Sequence, residues 1–301
     1  MNFTRRDFVR ASALGMVAAM LPESLHAAPR ARADFTLLRR NVGIFTERGG
    51  TMGWLVNNDG VLVIDSQFAD TAPIFLDGLR QRTSRPIDLL INTHHHPDHT
   101  GGNSVMRPHV GSIVAHERAV ENQRTSARQR NAEDEQAYAD VTLKDAWDTE
   151  VGDEKVNVKF YGAAHTGGDV LIHFERANVV HLGDLVNNRG FPNVDAPAGG
   201  SVLSWMRVLE AVAPAFPSDT QYVFGHNEAG FPPIGTVDDL YYQRDYFSAV
   251  IDVAQKALRA GQTRDQATAI ESLAGYTHFG GTPSRLGLAV GVAFDELSQD
   301  R

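Results

Sequence analysis

The chain alternates between short apolar runs and loops rich in glycine, histidine and aspartate. Val42-Gly43-Ile44-Phe45-Thr46 reads as a strand. Met52–Val56 and Val61–Asp65 read as two more, flanking Asn57-Asn58-Asp59-Gly60. That tetrapeptide predicts a hairpin turn, because Asn, Asp and Gly tolerate positive φ. Residues 70–82 space Ile74, Phe75 and Leu79 for one helical face. Residues 87–92 read as a buried strand, and Gly111–Ala115 as another. The polar stretch 117–140 predicts a solvated helix. Lys155–Tyr161, Val170–Phe174 and Val179–Leu182 predict a second group of strands. A helix is expected at Ser201–Val212 and a strand at Tyr222–Phe224, with helices over 236–260, 264–273 and 284–299.

Strands, then helices, then strands and closing helices fit an α+β chain layered as an αββα sandwich. A core over about 35–230 would be followed by helical segments over about 235–300. Hydrophobic content of 42% in 301 residues supports a sizeable core. A net charge of −9 argues against nucleic acid as a general partner. Without cysteine, disulfides, thiolate metal sites and a cysteine nucleophile are excluded.

Residues 1–28 read differently from the rest. Thr4-Arg5-Arg6-Asp7-Phe8-Val9-Arg10 is a twin-arginine pattern, the apolar stretch Ala11–Leu21 follows, and Leu25-His26-Ala27-Ala28 offers small residues for cleavage. Eleven apolar residues are too few to span a bilayer. The expectation is a Tat export signal, with the Tat machinery as partner and a periplasmic mature domain over 29–301. Losing residues 1–27 removes three Arg, one Asp and one Glu, taking the charge from −9 to −10.

The candidate chemistry is concentrated in Thr93-His94-His95-His96-Pro97-Asp98-His99, just past the strand at 87–92. His94 and His96 are two apart, so in an extended segment both side chains point one way and can reach one ion. Asp98 and His99 follow the turn at Pro97 and point elsewhere, which suits a second ion. His95 lies on the opposite face, in a supporting role. His165, Asp184 and His226 each follow a predicted strand in a glycine-flanked loop. His165 would complete a tris-histidine site with an open fourth position. Asp184 can bridge two cations, and His226 can serve the second. A surface histidine tract would leave Asp98 and the three distant residues unexplained. Asp65, at the end of an apolar strand, is expected to orient a ligand histidine. Trp54 and Met52, and Asn187, Arg189, Phe191 and Asn193, are candidates for the wall of a substrate cleft.

The order His-x-His-x-Asp-His, then His, Asp and His, resembles the metallo-β-lactamase superfamily. It is matched at His94, His96, Asp98, His99, His165, Asp184 and His226. The resemblance implies one metal on His94, His96 and His165, and another on Asp98, His99 and His226, with Asp184 bridging. It implies two zinc ions about 3.5–4 Å apart sharing a hydroxide, with Asp98 and Asp184 catalytic. His and Asp ligands suit iron or manganese as well. β-Lactamase branches with antibiotic activity usually carry Cys or Ser where this chain has Asp184; Asp resembles the glyoxalase II, lactonase and phosphodiesterase branches. The expected function is hydrolysis of an ester, thioester, lactone or lactam in a small molecule. The alternatives are a true β-lactamase and an iron-dependent sulfur dioxygenase-type oxidoreductase.

Overall fold

The computed structural model describes residues 34–299. The expected export signal at 1–28 lies outside them. A seven-stranded sheet runs in chain order: β1 (Asp34–Arg39), β2 (Val42–Thr46), β3 (Met52–Val56), β4 (Val61–Ile64), β5 (Ile87–Ile91), β6 (Val110–His116) and β7 (Val141–Leu143). The strands from β1 to β4 are antiparallel, and β4 to β7 are parallel. Short helices occupy the parallel crossovers: α1 (Ala72–Arg80), α2 (Pro97–Thr100), α3 (Asn103–Met106) and α4 (Glu117–Gln129).

The second sheet comprises β8 (Ala146–Val151), β9 (Glu154–Phe160), β10 (Val170–Phe174), β11 (Val179–His181), β13 (Gln221–Val223) and β15 (Ile234–Gly235). Its order is β15-β13-β11-β10-β9-β8. A two-residue ladder, β12 (Asn187–Asn188) with β14 (His226–Asn227), sits apart from it. The remaining helices are α5 (Val202–Val212), α6 (Val237–Arg259), α7 (Arg264–Thr268) and α8 (Ser284–Gln299).

Three apolar layers hold these elements. Between the sheets, Ile44, Leu62, Ile64 and Val114 meet Val156, Ile172, Phe174 and Val179. On the outer face of the first sheet, Phe45, Met52 and Val63 pack on Phe75 and Leu79 of α1. On the outer face of the second, Leu171, Val180 and Tyr222 pack on α5, α6 and α8 through Trp205, Phe247 and Val290. Because strand residues alternate faces, each sheet is apolar on both sides, and both outer faces need helices. The result is the αββα sandwich, with a helical C-terminal segment on the second sheet.

Several boundaries differ from the sequence reading. The helix predicted over 117–140 ends at Gln129. Asn131 takes φ +51°, and the Ala132 N–H returns to the Ala127 carbonyl, which closes the last turn. The helix predicted over 264–273 stops at Thr268, and the chain beyond carries Leu273, Tyr276 and Phe279 into the core instead. The hairpin at 57–60 forms without positive φ. There the Asn57 side-chain oxygen accepts the Asp59 and Gly60 N–H groups at 2.9 and 2.8 Å, an Asx turn.

Candidate metal centre

The site residues sit where strands end on one rim. Asp65 follows β4, the histidine run follows β5, Asp184 follows β11 and His226 follows β13. His165 is in the β9–β10 connection. Backbone hydrogen bonds tie these loops together. Gly50 N donates to Asp98 O (3.0 Å), Thr51 N to Gly225 O (2.8 Å) and Val170 N to Thr93 O (2.9 Å).

Seven side chains converge as two groups. Ligand atoms of His94, His96, His165 and Asp184 lie within 4.8 Å of one another, and so do those of Asp98, His99 and His226. In the first group His96 Nδ1 is 3.1 Å from His94 Nε2 and 2.8 Å from His165 Nε2. In the second, His226 Nε2 is 3.0 Å from Asp98 Oδ2 and 3.4 Å from His99 Nε2. Asp184 Oδ2 lies between them, 3.5 Å from His165 Nε2 and 3.3 Å from His226 Nε2.

The outer nitrogens settle which inner ones carry lone pairs. His99 Nδ1 donates to Asp65 Oδ2 (2.8 Å), His96 Nε2 to Asp195 Oδ2 (2.9 Å) and His165 Nδ1 to the Asn193 carbonyl (2.6 Å). The Thr93 hydroxyl donates to Asp65 Oδ2 (2.8 Å), so it accepts from His94 Nδ1 (3.0 Å). In the first group, with one ring proton spent outward, the inward nitrogens of His94, His96 and His165 present lone pairs to one another. Lone pairs 2.8–3.1 Å apart repel unless a cation lies among them. Asp184 Oδ1 is buried without a hydrogen bond, although His99 Nε2 is 3.1 Å away. This donor set fits divalent metal ions.

Electrostatics divides the two groups. Burial and the neighbouring His99 hold His94 well below the ordinary histidine range. Burial likewise takes His165 down to about 4, against the pull of Asp184. Burial opposes charge on His99 and His226 too. There the carboxylates prevail: Asp184, Asp65 and Asp98 raise His99 well above its usual value, and Asp184 and Asp98 lift His226 to about 9. Asp98, despite burial, is held down to about 2 by His99 and His226. His94 and His165 thus enter the first group as neutral imidazoles, while the second group balances a carboxylate against proton-holding imidazoles.

The groups open into a cleft of about 370 Å³. Asn187, Phe191 and Asn193 line it, with Asn227, Glu228 and Arg285. Three candidate wall residues lie elsewhere. Trp54 is buried on the far side of the first sheet, its indole N–H bonded to Ile44 O at 3.0 Å, and Met52 is in the same layer. Arg189 takes φ +61° and turns to Asp239 (3.1 Å) and the face of Tyr242 (3.9 Å). The reason is the strand alternation at β3 and the turn after β12, which direct these side chains away from the cleft.

Sequence reasoning did not find Asp195, Glu228 or Arg285. Asp195 belongs to Asp195-Ala196-Pro197, which reads as an ordinary turn cap, and it does accept the Ala198 N–H. Only the fold brings it to His96. His95 lies beside it, with Nε2 3.7 Å from Asp195 Oδ2, on the side away from the two ligand groups. His181 is a satisfied core residue between Thr51 O and Gly183 N.

An αββα sandwich with two adjoining His/Asp groups on one rim defines a metal-binding protein of the metallo-hydrolase type. The chain belongs to the metallo-beta-lactamase superfamily, whose family model matches residues 46–226. Its relatives include the hydroxyacylglutathione hydrolase of Brucella anthropi, 27% identical over 176 residues, covering 56% of this chain and 61% of that protein. The match thus spans less than two thirds of that relative. Another is the metallo-beta-lactamase type 2 of Elizabethkingia meningoseptica, 23% identical over 58% of this chain and 68% of that protein. Both are hydrolases. Among solved structures, a metallo-beta-lactamase from Pontibacter korlensis superposes with a TM-score of 0.60 at 20% identity, covering 72% of this chain and 99% of that one. A double mutant of the sec-alkyl sulfatase PisA1 superposes with a TM-score of 0.66 at 17% identity, covering 86% of this chain and 49% of that one. These two likenesses concern the fold.

Proposed function

We propose that this protein is a periplasmic metal-dependent hydrolase of a small ester, thioester, lactone or lactam, exported through the Tat machinery and using two zinc ions. The observation that carries the reading is Asp184, set between two ligand groups at the mouth of an open cleft. When bound, two such cations supply hydroxide at neutral pH and a Lewis acid for the developing oxyanion.

The chain's own residues do the rest. His94, His96 and His165 would hold one ion, and Asp98, His99 and His226 the other, with Asp184 shared. Asp65, Thr93 and Asp195 fix the imidazole tautomers from outside. Asp98 is ionised, 26% exposed in its side chain and at the cleft, so it can accept a proton from water and pass it to a leaving group. No side chain need act as nucleophile. Export is supported by the twin-arginine pattern alone, and no helix among the described residues is long and apolar enough to cross a membrane.

The test is elemental analysis of the mature protein purified without added metal, followed by a panel of ester, thioester, lactone, phosphodiester and β-lactam substrates. About two zinc per chain with turnover of an acyl substrate is the expected result. Nitrocefin turnover above all others would select the β-lactamase alternative. One iron per chain with oxygen uptake would replace hydrolysis by the oxidoreductase alternative.

A further inference from the structure

The wall of the cleft farthest along the chain is built by residues beyond the span that matches the family model, which ends at 226. A segment before α8 crosses the cleft rim. Gly280 N donates to Arg189 O and Phe191 N donates to Gly280 O, both at 3.1 Å, in a parallel bridge of Gly190 with Gly280. Arg285, in the first turn of α8, donates Nη1 to Phe191 O at 3.2 Å. Glu228 follows β14, and its side chain lies against Gly280. A Cβ there would come 2.0 Å from its carboxylate carbon and push that side chain aside.

Arg285 and Glu228 both line the cleft, and both are partly buried. Neighbouring Arg189 is neutralised by Asp239. Arg285 and Glu228 form no ion pair with each other or with any other described residue. Partly desolvated charges of opposite sign are costly to leave unmatched. A third polar group of the cleft adjoins the metal ligands. Asn187 is 6% exposed, and its Nδ2 is a buried donor without a partner. It lies directly across the ladder from His226. A substrate's reacting carbonyl oxygen would satisfy that donor beside the metal ligands, which leaves Arg285 and Glu228 to the rest of the molecule.

We propose that the substrate carries a zwitterionic, amino-acid-like substituent, its carboxylate held by Arg285 and its ammonium by Glu228. This rests on the reading of the site as an acyl hydrolase and specifies what it hydrolyses. A planar carboxylate matches the fork of a guanidinium, and a compact ammonium matches a carboxylate that has no other donor. The C-terminal segment is then a specificity element, fastened over the cleft by main-chain bonds.

The test uses the full metal-loaded protein and esters that share one acyl chain and one leaving group. They differ only in a distal substituent: neutral amide, carboxylate, ammonium, or α-amino carboxylate. Ether analogues of the same four, which cannot be hydrolysed, are titrated by calorimetry. The zwitterionic member should lead in both kcat/KM and affinity, by about fivefold per charge. R285Q should bring the ratio of carboxylate to neutral close to one, and E228Q the ratio of ammonium to neutral. Equal behaviour of all four compounds with the native protein overturns the proposal, as does a uniform loss across all four in both variants. Should no ester be turned over, the hydrolase reading fails. The ether affinities still decide the binding proposal.

Discussion

At the scale of single residues, the outer partner of each imidazole decides what its inner nitrogen can do. Asp65 and Asp195 were not equally visible. Asp65 ends an apolar strand, and its carboxylate stands out in the sequence. Asp195 looks like any turn cap. The protonation contrast between the groups has a measurable consequence. His94 and His165 are neutral at pH 7, since both are shifted down. His99 and His226 are shifted up, so a cation must expel their protons. Affinity at the Asp98–His99–His226 group should therefore rise with pH until about 9, the value for His226. Dialysis against limiting zinc at pH 6 should leave about one ion per chain, and at pH 8.5 about two. Simultaneous loss of both would contradict the assignment. Gly225 offers a steric test. A Cβ there would fall 2.0 Å from Asp184 Oδ1, so G225A should displace the shared carboxylate. We expect metal stoichiometry to drop while the far-ultraviolet circular dichroism stays native.

At the scale of elements, central strands were legible and edges were not. The bounds expected for β2, β3 and β10 coincide with those in the structure, because buried β-branched and aromatic runs leave little choice. β1 and β8 escaped. Their residues are mostly exposed or half-buried, so their pairing comes from a neighbour's open edge rather than from their own pattern. The same holds for α5, where the sequence shows a helix but not its role. Trp205 of α5 is fully buried against Phe247 (4.7 Å between ring centroids) and His165 (5.7 Å), and its indole N–H bonds Leu185 O at 3.0 Å. Leu185 follows Asp184, so this helix props the turn that carries the shared ligand. W205A should cost about 3–5 kcal/mol in denaturant unfolding. It should also weaken zinc binding, although Trp205 offers no ligand.

At the scale of the whole molecule, the metal site joins loops from both sheets, so occupancy and stability are linked. A ligand at 100 times its Kd adds about 2.7 kcal/mol. Chelation should thus lower Tm by about 5–10 °C in a domain of this size, without unfolding it at 25 °C. The chelated chain should also respond to pH. The folded-state pKa of His226 is raised, so its ion pairs with Asp184 and Asp98 stabilise the metal-free fold fully below about 6.5, its ordinary value. That stability is lost as pH climbs through about 9. Thermal scans of chelated protein from pH 7 to 10 should show Tm falling, and zinc-loaded protein should lack this component.

The layer order, the central strands and the choice of seven ligand-type residues were legible in the chain alone. These follow from local information: periodicity of burial, and the spacing of donors past strand ends. The tertiary structure alone decided which residues surround those donors. Asp195 meets His96 from 99 positions away, and Arg285 reaches Phe191 across 94. Trp54 and Arg189 sit near the right loops in sequence but face away, because a single strand alternation or one positive φ reverses a side chain. A ligand set can be read from residue types, since each donor's chemistry is its own. A cleft wall cannot, because it exists only where distant segments pack.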